Sequence, residues 1–327
     1  SSDVCSSDLA SGTITCGIKI STSGDEVYAA WAQLENTDSA SPGYTTYSTN
    51  TANRYTVTQI TDADYPSNTT RGCAFLDGKF FVMDVAGTIF QSATENAASW
   101  SALEFIGTQI EPDQGVYLAK HNNYLAAFKQ YSTEFFYDAA NSSGSILAPV
   151  QNAAFKVGCA SDASVKEMAG TVVWMGQTKD GFGRGIFRLN GMAPEKISTP
   201  QIDKILNADN LATVYSWFAN VSSHPLYGIT LVTTGKTLVY DASTQQWHEW
   251  AWRDPASGVI GRHRSNCQMN FAGLTLVGDW ETADVYSLDL DCYSDNGAAI
   301  ARLRECPHIT QDGKYAFFHS LELFMQT

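Results

Sequence analysis

Apolar and polar residues alternate with a period of two along most of the chain, and the alternating runs are rich in Val, Ile, Thr, Tyr, Phe and Trp. This composition and period predict β-strands, because successive side chains of a strand point to opposite faces of a sheet. Gly, Asn and Asp separate the runs, as is typical of tight turns. Helical patterns are confined to two short segments, Ile202–Leu211 and Ser161–Met168. The pattern therefore predicts an all-β protein.

One stretch, Gly261–Tyr293, shows this organisation most clearly. It holds three alternating runs, separated by turn residues at Ala272–Gly273 and Asp279–Ala283. Because connections of two to five residues join antiparallel neighbours, the stretch is predicted to be a compact antiparallel meander.

A strand-like run of one kind recurs five times, with spacings of 46, 51, 52 and 47 residues. The five runs are GTIFQS (Gly87–Ser92), TEFFYD (Thr133–Asp138), GIFRLN (Gly185–Asn190), TLVYDA (Thr237–Ala242) and DVYSLD (Asp284–Asp289). One or two further strand-like runs precede each of them. A period near this length is typical of β-propeller blades, which bury their apolar faces against one another. The sequence thus predicts a β-propeller-like array of antiparallel meander blades, and two successive β-sandwiches remain the alternative.

Three segments are predicted along the chain. Residues 1–9 contain VCSSDL, which looks like a translated sequencing adapter, and are expected to be non-native. Residues 10–64 form an N-terminal strand-rich segment, in which Tyr44–Thr61 could supply strands to a blade completed from the other terminus. Residues 65–327 form the propeller domain. That domain is expected to be truncated at its C-terminal end, because the strand-like run His319–Thr327 stops without a partner.

The charge balance narrows the choice of partners. The chain has 34 acidic and 20 basic residues, which gives a formal net charge of −14. This balance argues against a protein that coats DNA or an anionic membrane, since both partners require a positive face. It still allows a protein that DNA slides past without binding. No run of about 18 apolar residues occurs, so no membrane-spanning segment is expected.

The chain has seven cysteines, an odd number at irregular spacing. Such a pattern predicts neither a disulfide framework nor a zinc site. We expect small, buried apolar side chains instead. The seven residues are Cys5, Cys16, Cys73, Cys159, Cys267, Cys292 and Cys306.

Motifs that would carry chemistry are weak throughout. GFGRG (Gly181–Gly185) resembles a phosphate loop, but a strand-like run follows it, so a tight turn is favoured. None of the six histidines has metal-ligand spacing, and no GxSxG motif occurs. Asp289, Asp291 and Asp295 loosely resemble a calcium loop, yet the glutamate of such loops is missing and a polar hairpin turn is favoured. No catalytic, cofactor-binding or metal-binding residue is therefore predicted.

Tryptophans form the first candidate contact surface. The run WHEWAW alternates, which places Trp247, Trp250 and Trp252 on one or two faces of a strand, and it is the best candidate for a surface patch. Other tryptophans in repeated strand positions are predicted to fill the cores of blades, although they could also stack on sugars.

A basic cluster forms the second candidate surface. Arg262, His263 and Arg264 are the densest basic residues of this acidic chain, and alternation places the two arginines on one face. They could form a solvated or interblade salt-bridging strand. They could also contact a neighbouring subunit or a DNA phosphate.

Longer stretches carry a family resemblance. They are YPSNTTRGCAFLDGKFF, SWSALEF, EPDQGV, STEFFYD, GCASDASV, VVWMG, GIFRLNGMAPEKIST, GKTLVYDASTQQWHEW, GRHRSNC, LVGDWETADVYSLDLDCY and PHITQDGKYAFFHSLEL. From about Tyr65 to Thr327 the chain resembles the phage stabilisation family, the packaged-DNA stabilisation or tail hub and nozzle proteins of short-tailed phages. Before Tyr65 the resemblance is weak.

The resemblance implies a non-enzymatic structural protein of the virion, made in the host cytoplasm. Such proteins form a ring, usually of six copies, below the portal and adaptor proteins, and they close the tail channel after genome packaging. The family implies no catalytic or cofactor-binding residues. For Arg262 and Arg264, the resemblance favours subunit or interblade contacts over contacts to DNA. An acidic channel wall would let DNA pass, since it repels phosphate. A carbohydrate-binding or glycan-hydrolysing propeller and a secreted interaction propeller remain alternative functions.

Overall fold

The computed structural model describes residues 6–8, 13–15, 60–180, 183–271, 273–282, 284–289, 292, 294–300, 320 and 322 of the 327-residue chain. The chain divides into two compact units, residues 1–292 and 293–327. In the first unit, β1 (Ser6–Asp8) and β2 (Thr13–Thr15) form a short antiparallel hairpin. Most of the segment 10–64 therefore lies outside the described residues, and the predicted division at residue 64 stays a prediction.

Five antiparallel meanders, here called blades 1 to 5, follow one another from residue 69 to residue 287. Blade 1 comprises β3 (Thr69–Leu76), β4 (Lys79–Asp84), β5 (Thr88–Ala93) and β6 (Asn96–Gly107). Blade 2 comprises β7 (Gly115–His121), β8 (Tyr124–Lys129), β9 (Thr133–Asp138) and β10 (Leu147–Phe155). Blade 3 comprises β11 (Gly158–Cys159), β12 (Lys166–Met168), β13 (Thr171–Gln177), β14 (Arg184–Asn190) and β15 (Ala193–Lys196).

The last two blades follow the only α-helix of the described residues, α1 (Pro200–Ala208). Blade 4 comprises β16 (Val214–Val221), β17 (His224–Leu231), β18 (Lys236–Asp241), β19 (Gln246–Arg253) and β20 (Ile260–Arg262). Blade 5 comprises β21 (Ser265–Phe271), β22 (Leu274–Asp279) and β23 (Val285–Ser287). In the second unit, β24 (Ser294–Asp295) pairs with β25 (Ala298–Ala299).

The predicted repeat is confirmed as a series of blades. Each of the five recurring runs overlaps the strand that is third along the sheet of its meander, namely β5, β9, β14, β18 and β23. In blades 1 to 4 a fourth strand follows, so the unit was predicted one strand too short at its end. The fold is all-β and propeller-like, and it is not a pair of successive sandwiches.

Apolar clusters fill the space between successive blades, and central strands contribute to two clusters at once. In β8, Leu125 and Ala127 pack in the cluster shared with blade 1, while Ala126 and Phe128 pack in the cluster shared with blade 3. In β13, Trp174 joins that same blade 2–3 cluster. Burial on both faces explains why YLAAF reads as a continuous apolar run instead of an alternating one.

The first strands of blades 1 and 2 approach each other closely. β3 and β7 pair in parallel at Arg71 and Tyr117, which joins the two blades into one eight-stranded sheet. Gly72 makes this approach possible, because a Cβ atom there would lie 2.1 Å from the carbonyl oxygen of Leu118. Its φ of +90° also belongs to the region that favours glycine.

The two predicted helices have different outcomes. The first is confirmed in type: α1 begins after Thr199, whose side chain accepts a hydrogen bond from the N–H of Ile202. The second, Ser161–Met168, is wrong, because only Asp162–Ser164 forms a single 3₁₀ turn and the chain then extends into β12. The Ser164 hydroxyl accepts from the N–H of Met175 in β13, which fixes this segment against the sheet instead of in a helix.

The expectation of buried cysteines holds for one residue of those described. Cys159 is 1% exposed and packs between blades 2 and 3. Cys73, Cys267 and Cys292 are exposed free thiols, so the expectation is wrong for them. The other three cysteines lie outside the described residues.

Candidate functional site

Four of the six predicted contact residues lie on the outer strands of blade 4, while His263 and Arg264 lie in the connection from β20 to β21. Trp247, Trp250 and Trp252 belong to β19, and β20 pairs beside it with Ala251 opposite Arg262. Asp254 closes the connection between these strands, since its carboxylate accepts hydrogen bonds from the N–H groups of residues 256 and 257. Blade 4 thereby gains a fifth strand that carries the basic cluster toward blade 5.

The three tryptophans do not form one surface patch. Trp247 packs on Tyr240 at a centroid distance of 5.2 Å and donates its indole N–H to the carbonyl of Ile197, on the side of blade 3. Trp250 lies on the opposite face of β19 and contacts Trp217 at 5.6 Å. Trp252 lies under the guanidinium of Arg264 at 4.3 Å. Half-burial and these contacts give each ring a packing role within the blades.

Arg262 contacts the turn at the end of β22. Its guanidinium carbon lies 3.7 Å from the ring centroid of Trp280, a cation–π distance. Burial lowers the pKa of this guanidinium, and its Nη1 atom is buried without a hydrogen-bond partner. The guanidinium of Arg262 therefore covers one face of the Trp280 indole, and the residue as a whole remains 39% exposed.

Arg264 makes two ion pairs with the same turn. Its Nη1 lies 2.9 Å from Asp279 Oδ2, and its Nη2 lies 3.0 Å from Glu281 Oε2. The Arg264 side chain is 16% exposed and that of Asp279 is 0% exposed. Both terminal nitrogens of this arginine thus bind carboxylates of blade 5.

Asp279 is the centre of this junction. Besides Arg264 it accepts hydrogen bonds from the Glu281 N–H, the Thr282 hydroxyl and the Tyr286 hydroxyl. Burial opposes ionisation of Asp279, but these hydrogen bonds outweigh burial and lower its pKa. The carboxylate therefore stays charged and holds the β22–β23 turn against blade 4.

His263 lies between the two arginines and points to the inside of the junction. Its ring packs edge-on against Trp250 at 5.3 Å, and its Nδ1 accepts a hydrogen bond from the Ser265 N–H. Burial lowers the pKa of His263 to about 4, with the Asp279 charge acting against that change. At neutral pH the imidazole is neutral and acts as a packing group.

The structure also shows an ionic cluster that sequence reasoning missed. The Lys129 ammonium, 1% exposed, lies 2.8 Å from Asp113 Oδ1 and 3.5 Å from Glu134 Oε1. Glu134 in turn accepts from the N–H groups of Gln109 and Ile110. These contacts fasten the linker between blades 1 and 2 to the β8–β9 hairpin. The only signal in the sequence is a lysine and a glutamate that flank one predicted turn.

One group of residues has the composition of a hydrolase triad without its geometry. Asp241 Oδ2 and Ser243 Oγ both lie 2.8 Å from the same atom, His224 Nδ1. A triad requires the serine at the other ring nitrogen, so that the base can take its proton. Ser243 also donates to Asp241, which makes the group a hydrogen-bonded end of β18.

A shallow cleft opens beside the turns of blades 1 and 2. Its volume is about 450 Å³. Its walls combine aromatic rings with carboxylate and amide groups: Asp77, Asn123, Tyr124, Tyr137, Asp138 and Val150 line it. Tyr137 is 40% exposed. Sequence reasoning did not select any of these residues.

Metal-binding and membrane-spanning features are absent from the described part of the chain. No group of three or more His, Cys, Asp or Glu residues there could hold a metal ion, and no helix there is long and apolar enough to cross a membrane. Asp291 lies outside the described residues, so the interpretation of Asp289, Asp291 and Asp295 as a polar turn stays a prediction.

Solved structures that resemble the chain at low sequence identity include a nidogen/laminin complex (12% identity, TM-score 0.37, covering 67% of this chain and 75% of that one). Two others are the dihydro-heme d1 dehydrogenase NirN in complex with DHE (10%, 0.40, 70% and 46%) and BamB from Moraxella catarrhalis (12%, 0.37, 66% and 59%). The chain spans about half of NirN and less than two thirds of BamB. No likeness at this level carries an argument about function. No protein of curated function matches by sequence.

A family model gives a specific match. The model described as bacteriophage P22 Gp10, beta-propeller, matches residues 15–293, which is 279 of the 327 residues. The match includes all five blades and the junction of blades 4 and 5. The resemblance noted in the sequence is confirmed, and the chain belongs to this phage stabilisation family of β-propeller structural proteins.

Proposed function

We propose that this protein is a non-enzymatic tail hub or nozzle subunit of a phage virion. It closes the portal channel after packaging, retains the packaged DNA and forms the conduit for its ejection. The observation that carries the proposal is the family match over residues 15–293, in agreement with the five blades. The working form is a ring of six copies bound to portal, adaptor and other tail proteins.

The predicted contact residues act within the chain in this proposal. The side chains of Arg264 and Asp279 are largely buried and form an ion pair across the boundary of blades 4 and 5. An arginine whose guanidinium is buried and paired with carboxylates has few donors left to bind a DNA phosphate or a second subunit. We therefore assign Arg262, His263, Arg264, Trp247, Trp250 and Trp252 to interblade and intrablade packing, which stiffens the wall of the conduit.

The acidic composition suits a conduit. A protein with a net charge of −14 gains no binding free energy from counterion release on DNA. A duplex can therefore move past it without sequence-independent electrostatic binding. DNA is a passing partner in this proposal. An assembled ring with lysine and arginine side chains along its axis would contradict this part.

The decisive experiment uses particles of the encoding phage that lack this protein. Heads packaged without it should lose their DNA and leave it sensitive to nuclease, and adding the purified full chain should restore protection. Electron microscopy of the restored particles should show a six-fold ring below the portal. Particles that keep their DNA without the protein would overturn the proposal. A Lys156→Met chain, altered at an exposed lysine, serves as the matched control and should restore protection equally.

A second candidate function, carbohydrate binding, is favoured by the cleft at Tyr124 and Tyr137. An exposed aromatic ring beside carboxylate and amide groups can stack on a sugar and bind its hydroxyls. A glycan array with the full chain tests this, with Tyr137→Ala to abolish binding. Tyr215→Ala, at an equally exposed tyrosine of β16, is the matched control. Absence of any bound glycan would reject this candidate and leave the structural role intact.

A further inference from the structure

The ionic cluster of Lys129, Asp113 and Glu134 lies in the interior, where the linker from blade 1 to blade 2 passes the β8–β9 turn. The three side chains are 1%, 9% and 4% exposed, respectively. By contrast, the Lys196 side chain in the ion pair with Asp203 is 45% exposed. Water is therefore nearly excluded from an amine and two carboxyl groups that lie in contact.

The Lys129 ammonium is held against the Asp113 carboxyl group. Its Nζ lies 2.8 Å from Asp113 Oδ1, and it also donates to the carbonyl of Glu111. The Lys129 stem passes close to Gly87, where an added Cβ would lie 3.7 Å from Lys129 Cε. The amine nitrogen is therefore fixed beside a carboxyl group that a neutral amine can attack.

The backbone fixes the same two segments against each other. The Gln130 N–H donates to the carbonyl of Gln114 at 2.8 Å, which joins the turn to the linker. The Lys129 N–H donates to the Ser132 carbonyl at 2.8 Å, which closes the turn. Both side chains thus stand on rigid supports, and this lowers the entropic cost of a reaction between them.

The Asp113 carboxyl group has two further hydrogen-bond donors. Its Oδ2 accepts from the Tyr131 N–H at 2.6 Å, and the Ser132 hydroxyl lies 3.2 Å from Oδ2 and 3.0 Å from Oδ1. Donors in this position stabilise the negative charge that builds on oxygen when a nucleophile attacks the carbon. In such an attack Oδ2 would carry the charge, and Oδ1, beside Lys129, would leave.

Glu134 supplies a second carboxylate that can move protons between the amine and the carboxyl group. Its Oε1 lies 3.5 Å from Lys129 Nζ. The N–H groups of Gln109 and Ile110 hold its two oxygens, at 2.9 and 3.1 Å. A carboxylate at this distance can take a proton from nitrogen and deliver it to oxygen, and such contacts shorten as a reaction starts.

We propose that Lys129 and Asp113 join in an intramolecular isopeptide bond, with Glu134 as the group that moves the protons. Glu134 takes one proton from the Lys129 ammonium and passes it to Asp113 Oδ1. The neutral Nζ then attacks Cγ of Asp113, and the C–N bond forms. A second proton follows the same route, the Cγ–Oδ1 bond breaks, and Oδ1 leaves as water. The amide nitrogen keeps the third hydrogen, Glu134 ends as it began, and no further reactant is needed.

Burial favours this bond over the ion pair from which it forms. A neutral amide avoids the desolvation cost of two buried charges, and the exclusion of water protects the amide from hydrolysis. The bond ties the linker between blades 1 and 2 covalently to the β8–β9 turn. It is a property of the folded chain and does not depend on the role in the tail.

Mass spectrometry of the intact full chain tests the proposal. We expect the purified protein, once denatured, to weigh one water molecule less than its sequence requires. Digestion should then give a branched peptide that joins the segments around Lys129 and Asp113. The matched control is the pair Lys196–Asp203, which is 2.6 Å apart and has no second carboxylate in contact among the described residues. Both of its residues should appear only in linear peptides.

Two variants separate the chemistry from simple contact. Glu134→Gln keeps the size of the side chain but removes the proton carrier, so this variant should keep its full mass while circular dichroism shows native strand content. Asp113→Ala removes the carboxyl group that is attacked and should also keep its full mass. A folding failure of one variant leaves the other, and the wild-type mass needs neither. A Glu134→Gln chain that loses water as fast as the wild type would overturn the proposal.

Two results on the wild type would also overturn it. One is a folded chain that has the full mass of its sequence and yields Lys129 only in linear peptides. The other is a loss of water that maps elsewhere, such as a succinimide at Asp77–Gly78, while Lys129 stays unlinked.

Discussion

At the junction of blades 4 and 5, the charge state of a side chain depends on its burial and hydrogen-bond partners as well as on the kind of residue. His263 has a pKa of about 4 because its ring is enclosed between Trp250 and Ser265. Asp279 keeps its charge although it is buried, since Arg264 and three other donors satisfy it. Neighbouring residues of one sequence motif thus differ in charge state at the same pH.

Replacing His263 by Gln should flatten part of the pH dependence of stability. The unfolded chain takes up a proton near pH 6.5, whereas the folded chain does so only near pH 4. Between these values the unfolded state binds more protons, so stability falls as the pH falls, by up to about 3 kcal/mol. Urea unfolding at pH 7.0, 5.5 and 4.0 should show this extra loss in the wild type and not in His263→Gln. Equal losses in both proteins would refute a neutral, buried His263.

Replacing Lys129 by Met should destabilise the fold by about 3–5 kcal/mol, because it leaves two buried carboxylates without their cation. Burial opposes ionisation of Asp113, but hydrogen bonds led by that from Lys129 lower its pKa. The advantage of the wild type therefore holds above pH 4 and shrinks as Asp113 becomes protonated in acid. Urea midpoints measure it. Lys156→Met, at a 78% exposed lysine, should cost less than about 1 kcal/mol, and an equal cost would contradict the argument.

At the scale of elements, strands pair closely where a glycine faces a large ring. Trp217 of β16 is 1% exposed and lies against Gly228 of β17, its partner in the strand register. A Cβ atom at Gly228 would lie 2.2 Å from Trp217 Cε2. The indole therefore occupies the volume that any larger residue would need.

Gly228→Ala should destabilise the protein by about 1–3 kcal/mol, since the fixed indole cannot move out of the core. Gly261→Ala in β20 of the same blade is the matched control. No atom lies within 4 Å of its added Cβ, so its stability should change by less than about 0.5 kcal/mol. Thermal melting of both variants measures the difference. A Gly228→Ala protein as stable as the control would disprove the close packing.

The ion pair between Arg264 and Asp279 should couple blade 4 to blade 5. A double-mutant cycle with Arg264→Gln and Asp279→Asn should give a coupling energy of about 1–3 kcal/mol, because both side chains are largely buried. The exposed pair Lys236–Glu249 within blade 4 should give less than about 1 kcal/mol. Chemical unfolding of the wild type, the four single variants and the two double variants provides both values. Similar values for the two pairs would argue against a clamp between blades.

At the scale of the whole molecule, the net charge governs the affinity of the protein for DNA. With 34 acidic and 20 basic residues, the protein should not bind a 30-base-pair duplex measurably at about 0.15 M salt. Fluorescence anisotropy of a labelled duplex tests this with the full chain. Micromolar binding that weakens steeply with salt would reveal a basic surface and contradict the proposed passive conduit.

The fold class and most of the repeat could be predicted from the order of residues alone. Alternation and spacing predicted an all-β chain of blades, because a blade needs a similar number of residues wherever it occurs. The third strand of every blade was found, since it carries the most regular pattern. Fourth strands such as β19 were placed less well, because an outer strand has one polar side and fewer apolar positions.

Contacts between residues distant in sequence could not be predicted, because they depend on how the blades pack. Arg264 and Asp279 are fifteen positions apart, and Lys129 meets Asp113 across a blade linker. Such pairings depend on how one blade stacks on the next, which alternation along a strand does not specify. Alternation left the three tryptophans of WHEWAW on one or two faces, and the structure shows that Trp247 and Trp250 pack on opposite faces of β19 against different partners. The local pattern of apolar residues therefore predicts the strands, whereas the packing between blades determines which side chains come into contact.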